Sequence, residues 1–306
     1  MQLNRRSLLK TLGAGALGTA CTGFFTRHAQ AAPQIRQIPS SGEPLPLVGL
    51  GSWITFNVGN DRTARDSSAD VIDAFFKGGG RLIDSSPMYA SSQSTIGYGL
   101  KKAGYPKQLF SAEKVWTSSG GEGRAQIATT QDHWGVPRFD LMQIHNLVAW
   151  QEHLQTLRSM KAAGQLRYIG ITTSHGRRHD LLEKIMTTED IDFVQLTYNV
   201  SDREVEQRLL PLARDRGIAV IVNRPYQRGS LIRRMSREPL PGWIEETGAA
   251  NWPQFLLKFV VSHPAVTCAI PATTRVDHVE ENLAMADGLL PDMALRRRMV
   301  DYVKQL

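Results

Sequence analysis

The segment Asp140-Leu141-Met142-Gln143-Ile144-His145, the amphipathic stretch 152–163 and the run Tyr168-Ile169-Gly170-Ile171-Thr172-Thr173 together decide how this chain folds. A short, almost continuously apolar run leads into a helical pattern, then to Gly164 at a helix C′ position, then to a second apolar run. Strands of this kind are buried on both faces, and a helix between them makes them parallel neighbours. The unit recurs. Strands are predicted over 47–54, 81–85, 110–115, 140–145, 168–173, 193–198, 219–223 and 267–271, and helices near 67–78, 93–103, 123–134, 152–163, 177–188, 204–216, 252–262 and 276–286. Eight such units without an evident linker indicate an α/β protein with one (β/α)8 TIM barrel over residues 32–306. Residues 34–46, with the turn Ser40-Ser41-Gly42-Glu43-Pro44, read as an N-terminal β-hairpin. Residues 289–306 read as a closing helix with Arg296, Arg297 and Arg298 on a solvated face. The 225–251 connection is long for a compact domain and follows the C-terminal end of a strand, where barrel active sites lie.

The composition, 42% hydrophobic and 21% charged, is that of a globular protein and excludes disordered and collagen-like chains. Two cysteines, Cys21 and Cys268, exclude a disulfide scaffold or a zinc ribbon, and no metal site is expected. The formal charge of +7 would suggest a nucleic-acid partner if it were spread over the barrel. More than half of it sits in residues 1–31, which hold Arg5, Arg6, Lys10 and Arg27 and no acidic residue. There the order is Asn4-Arg5-Arg6-Ser7-Leu8-Leu9-Lys10, a mild Ala/Gly/Leu run, and Ala29-Gln30-Ala31, as in a cleavable export signal. The paired arginines resemble a twin-arginine signal, which implies the twin-arginine machinery as a partner and export in the folded state to the periplasm or elsewhere outside the cytoplasmic membrane. The apolar run is too short to span about 30 Å of hydrocarbon, so no stable membrane insertion is expected, and no nucleic acid. Gly13, Gly15 and Gly18 match a dinucleotide fingerprint formally but lack the preceding strand and the later acidic residue.

Polar residues collect at the C-terminal ends of three successive strands: Asp84 with Tyr89 after it, Lys114, and His145. A tyrosine is a poor acid at neutral pH, and an adjacent ammonium lowers its pKa. Lys114 is expected to act this way on Tyr89, Asp84 to hold Lys114, and neutral His145 to orient a carbonyl oxygen. The set suits carbonyl reduction by hydride, with Tyr89 supplying the proton.

The chain resembles the aldo-keto reductases. The resemblance rests on Gly79-Gly80-Arg81-Leu82-Ile83-Asp84-Ser85-Ser86 followed by Tyr89, on Phe110-Ser111-Ala112-Glu113-Lys114-Val115-Trp116, on 140–145, on Gly49-Leu50-Gly51-Ser52-Trp53, and on Val194-Gln195-Leu196-Thr197-Tyr198-Asn199. It implies a catalytic tetrad of Asp84, Tyr89, Lys114 and His145, a small-molecule aldehyde or ketone as substrate, and NADP(H) as cofactor, with NAD(H) as the other option. By the same resemblance Gly51, Ser52, Trp53, Thr172, Thr173, Gln195, Asn223, Arg224, Thr273, Thr274, Arg275, Glu281 and Asn282 contact the cofactor. Four positions depart from the family pattern: Thr172-Thr173 replaces Ser-Asn, Asn223 stands where an aromatic ring usually stacks, and Ala272 replaces a basic residue. Arg275 is expected to meet a 2′-phosphate, and Trp53, Trp116 and Trp243 to face substrate. Arg228, Arg233, Arg234 and Arg237 of the long loop are candidates to clamp an anionic substrate or the pyrophosphate. Two other readings remain open, a cofactor-binding sensor or accessory protein with little turnover, and oxidation of a sugar or alcohol with a tightly held cofactor, the same chemistry in reverse.

Overall fold

A computed structural model of the chain describes residues 34–286 and 288–306. The export signal read over 1–31 lies outside them. The hairpin pairs β1 (Ile35–Gln37) antiparallel with β2 (Pro44–Pro46), Ile35 opposite Pro46. The main sheet runs, parallel throughout and in chain order, through β3 (Leu50–Gly51), β4 (Leu82–Asp84), β5 (Phe110–Val115), β6 (Phe139–His145), β7 (Leu166–Thr172), β8 (Phe193–Thr197), β9 (Ala219–Asn223) and β10 (Cys268–Ala269). Its two ends meet through Gly49 N to Ala269 O, Ala269 N to Leu47 O and Gly51 N to Pro271 O, at 2.8 to 3.0 Å, so the sheet closes on itself. At Gly51 the closure leaves no room for a side chain, because a Cβ there would lie 2.7 Å from the Ile270 carbonyl oxygen.

The strands are joined by α1 (Arg62–Lys77), α2 (Ser92–Lys102), α3 (Gly123–Trp134), α4 (Trp150–Ala162), α5 (His179–Thr188) and α6 (Leu209–Asp215). The long connection after β9 contains a short α7 (Ser230–Met235), followed by α8 (Trp252–Val261), α9 (Val276–Ala284) and the closing α10 (Met293–Gln305). Glycines 104, 135, 164, 217 and 288 all take positive φ where the sequence places helix ends.

Alternation along each strand sorts the side chains into two cores. Leu82, Phe110, Ala112, Leu141, Tyr168, Phe193, Ile221 and Cys268 fill the barrel interior, joined by Ile38 and Leu45 from the hairpin, which plugs the N-terminal end. The intervening Ile83, Val115, Met142, Ile144, Ile169 and Val194 face the helices. Continuing the inward parity toward the C-terminal ends brings Asp84, Lys114, Gln143, His145, Thr172, Gln195 and Asn223 above the apolar plug.

One sequence expectation is corrected. Arg296 is 3% exposed rather than solvated, because its guanidinium donates to the Phe259 carbonyl, to Ser262 Oγ and to the Tyr198 hydroxyl, and pairs with Glu206 at 3.3 Å. The closing helix is thereby tied to β8 and α8 from inside.

Candidate active site

Asp84 ends β4 and sits at the hub of a buried polar network. One carboxylate oxygen is 2.5 Å from Lys114 Nζ, and the other accepts from the amides of Gln143 at 3.0 Å and Gln195 at 2.8 Å. Lys114 also donates to the Ser85 carbonyl at 2.6 Å. Burial opposes its charge, but Asp84, Tyr89 and Glu113 more than offset that, and its pKa lies above the ordinary lysine value. A desolvated ammonium is retained because its partner carboxylate is itself fully hydrogen-bonded.

Tyr89 closes the short 3₁₀ turn Pro87–Tyr89, which Ser86 caps by accepting from Met88 N at 3.2 Å. Lys114 Nζ lies 5.2 Å from the centre of the Tyr89 ring, and the His145 ring stands edge-on to it at 5.8 Å. The four tetrad residues are therefore together. The expected depression of the Tyr89 pKa is not found: burial pushes it up to about 12, outweighing the pull of Lys114, with Asp84 and Glu113 adding to the rise. Tyr89 thus keeps its proton throughout the neutral range.

His145 has its pKa pushed down to about 3, first by burial and then by Lys114, so the ring is neutral. Its Nδ1 is 2.7 Å from Ser86 Oγ. Ser86 also accepts from Met88 N; with its hydroxyl proton given to Nδ1, Nε2 carries the ring proton and is the donor available to the cleft. Ser86 and Gln143 were not singled out from the sequence, although Gln143 shares the strand parity of His145. Glu113 was missed as well. It points outward from β5, is wholly buried, and accepts from Gln93 Nε2, Trp134 Nε1 and its neighbour's Lys114 N at 3.0, 2.9 and 2.8 Å.

Above the network opens a cleft of about 560 Å³. It is lined by Asp84, Tyr89 and His145, with Lys114 buried behind them, and by Gly51, Ser52, Trp53, Thr172, Gln195, Asn223, Arg224, Thr273, Glu281 and Asn282 of the expected cofactor set. Thr173, Thr274 and Arg275 do not line it. Arg275 is turned outward and paired with Asp277 at 2.5 Å. Trp243 is also outside, packed against Phe255, Tyr302 and Arg298, while Trp116 lies 6.4 Å from His145 beside a separate shallow groove. Tyr226, which the sequence reading passed over, lines the cleft with its ring and donates to Asn282 Oδ1 at 2.9 Å.

The cleft extends from Tyr89 to the start of α9, as an elongated dinucleotide requires. The amide lost at Thr173 has a neighbour in its place, because Asn223 Nδ2 donates to the Thr173 carbonyl at 2.9 Å. The Thr173 hydroxyl is buried with no partner among the described residues, and Thr172 Oγ1 lies 3.3 Å from Gln195 Oε1. The Thr172 hydroxyl and the carboxamides of Gln195 and Asn223 converge on the cleft, a polar set that fits a nicotinamide carboxamide, whereas the Thr173 hydroxyl lies outside it.

A sequence model described as the aldo/keto reductase family matches residues 47–298. The chain belongs to the aldo/keto reductase family. As such it is an NAD(P)H-dependent oxidoreductase. Among its relatives is the methylglyoxal reductase YeaE of Escherichia coli, 25% identical over 260 residues that cover 83% of this chain and 90% of that protein. An NADH-specific methylglyoxal reductase of the same organism is 26% identical, covering 89% and 100%. In fold this aldo/keto reductase resembles the Klebsiella pneumoniae family member solved with NADP and acetate, with a TM-score of 0.73 at 19% identity over 85% of this chain and 92% of that one. The holo form of a Bacillus halodurans aldo-keto reductase gives 0.73 at 20% identity, over 89% and 96%.

Proposed function

We propose that the protein is an exported reductase that converts aldehydes or ketones to alcohols with NADP(H), NAD(H) being the alternative donor, and that Tyr89 supplies the proton. The observation that carries this reading is the convergence of Tyr89, Lys114, Asp84 and His145 at the floor of one elongated cleft. When bound, the nicotinamide would supply the hydride. The residues of this chain do the rest: Thr172, Gln195 and Asn223 would hold the carboxamide, and Glu281 and Asn282 would meet the adenine end. His145 Nε2–H orients the carbonyl oxygen, and Tyr89 gives its proton as charge grows there. Lys114 steadies the resulting phenolate, and Asp84 keeps Lys114 in place. A pKa of about 12 suits a donor to an incipient alkoxide, which is more basic still.

Small aldehydes are favoured as substrates by the two relatives named as methylglyoxal reductases, and export by the twin-arginine pattern at 4–10. The test is to load the purified protein with NADPH or NADH and follow loss of nicotinamide absorbance with a panel of aldehydes and ketones. Consumption with stoichiometric alcohol supports the reading. Tight retention of the cofactor with no turnover on any carbonyl would favour the sensor reading instead.

A further inference from the structure

We propose that the mouth of the cleft is built to hold a negative charge on the substrate, so that the preferred class is a carbonyl compound bearing a carboxylate or phosphate; this rests on the reductase reading above. Arg224, Arg228 and Arg233 of the long loop and His175 after β7 line the cleft. Among the described residues none of the three arginines reaches a carboxylate within ion-pair distance. Some exposed arginines elsewhere do, including Arg158 to Glu189, Arg208 to Asp180 and Arg298 to Glu246 at 2.8 to 2.9 Å, while others, such as Arg62, Arg124 and Arg216, do not. What sets the cleft mouth apart is that three arginines without a carboxylate partner share one cleft.

The charges are also felt locally. Burial and then Arg228 lower the pKa of Arg224, which Asp202 offsets only in part, and His175 is held below its ordinary value by burial and by Arg224, Arg177 and Arg228. Arg224 and Arg228, like charges held near one another, are costly to assemble and are relieved by an anion, while the neutral His175 ring accepts from Arg224 through Nε2.

Geometry places the best donor close to the chemistry. The Arg228 guanidinium stacks 4.3 Å over the Trp53 ring, and the Trp53 ring centre is 6.4 Å from that of Tyr89. A stacked guanidinium keeps its in-plane N–H groups available for a bidentate acceptor. A carbonyl at Tyr89 and an anionic group at Arg228 are thus separated by little more than one indole. The backbone is strained to present this side chain: Arg224, Gln227 and Arg228 all take positive φ, between 48° and 61°.

Cofactor phosphates are a second source of the same chemistry, and the experiment separates the two. Benzaldehyde and 4-carboxybenzaldehyde are compared in wild type and Arg228→Leu, alongside the NADPH dissociation constant of each. The carboxylated aldehyde should be favoured in kcat/KM by about tenfold or more in wild type, and that ratio should collapse in the variant. A wild-type ratio near one overturns the proposal. So does a ratio unmoved in the variant while NADPH binding weakens, which assigns the arginines to the cofactor. If neither aldehyde turns over, the reductase reading fails, and calorimetry still decides this one. Binding of 4-(hydroxymethyl)benzoate tighter than benzyl alcohol, and lost in Arg228→Leu, upholds the anion site; equal binding of the two refutes it.

Discussion

Glu113→Gln removes the ionisation of a carboxyl buried directly behind Lys114. In the folded protein burial raises its pKa from 4.5 to about 7, although Lys114, Gln93 and the Lys114 backbone N–H all favour the charge. The sign follows from linkage. Between pH 4.5 and 7 the folded state holds a proton that the unfolded chain has released, so this group's contribution to stability falls as pH rises and the cost is complete above pH 7. The gap corresponds to about 3 kcal/mol at roughly 1.4 kcal/mol per unit. Glutamine cannot ionise. It pays instead a pH-independent penalty of about 1–2 kcal/mol, because three donors converge on this site and an amide presents only one oxygen to them. The unfolding free energy of the variant minus that of wild type should therefore rise by about 3 kcal/mol between pH 4 and pH 8. Urea unfolding followed by far-ultraviolet circular dichroism at several pH values measures the difference, and other titrating groups cancel from it. A difference that does not change with pH would refute the reasoning.

Ser86→Ala removes both the cap on the Pro87–Tyr89 turn and the partner of His145 Nδ1; kcat should fall about tenfold with a smaller change in KM. In wild type, nitrogen NMR of the histidine should find Nε2 protonated, and an Nδ1–H tautomer would contradict the assignment of Ser86 as donor. Because the His145 pKa is about 3, the folded site stays neutral while the unfolded chain protonates below about pH 6.5, so this residue erodes stability on acidification. Its contribution to the rate should be flat from pH 5 to 8; an acid limb near 6.5 that vanishes in His145→Gln would show the opposite. Arg296→Met leaves the Tyr198 hydroxyl and Glu206 without their buried cation and should cost about 3 kcal/mol, seen as a fall in Tm of about 5 °C or more.

The barrel was legible because β5 to β9 are buried on both faces and mostly apolar, and glycines mark the helix ends. Boundaries were less so. α1 begins at Arg62, five residues before the predicted start, because its first turn is polar and exposed and only the Asp61 cap, accepting from Ala64 N at 2.8 Å, announces it. The predicted helix 204–216 divides into a 3₁₀ turn at Glu204–Glu206 and α6 (Leu209–Asp215). The tetrad was readable because charged side chains at strand ends have no packing reason to be there. Gln143 carried the same signal and was overlooked beside His145. Ser86, Glu113 and Tyr226 were invisible for another reason, since their partners lie across the fold: Ser86 meets His145 from another strand, and Tyr226 meets Asn282 from α9. Arg296 was misread because a run of three arginines looks solvated, whereas helix rotation turns one of the three inward.

The central claim is that Tyr89 delivers the proton while its neighbours hold the site together. It is tested most directly by turnover of Tyr89→Phe on its best aldehyde, alongside the NADPH dissociation constant. The account predicts unchanged cofactor affinity and a loss in kcat of about 10²–10⁴. Turnover within a few fold of wild type would contradict it.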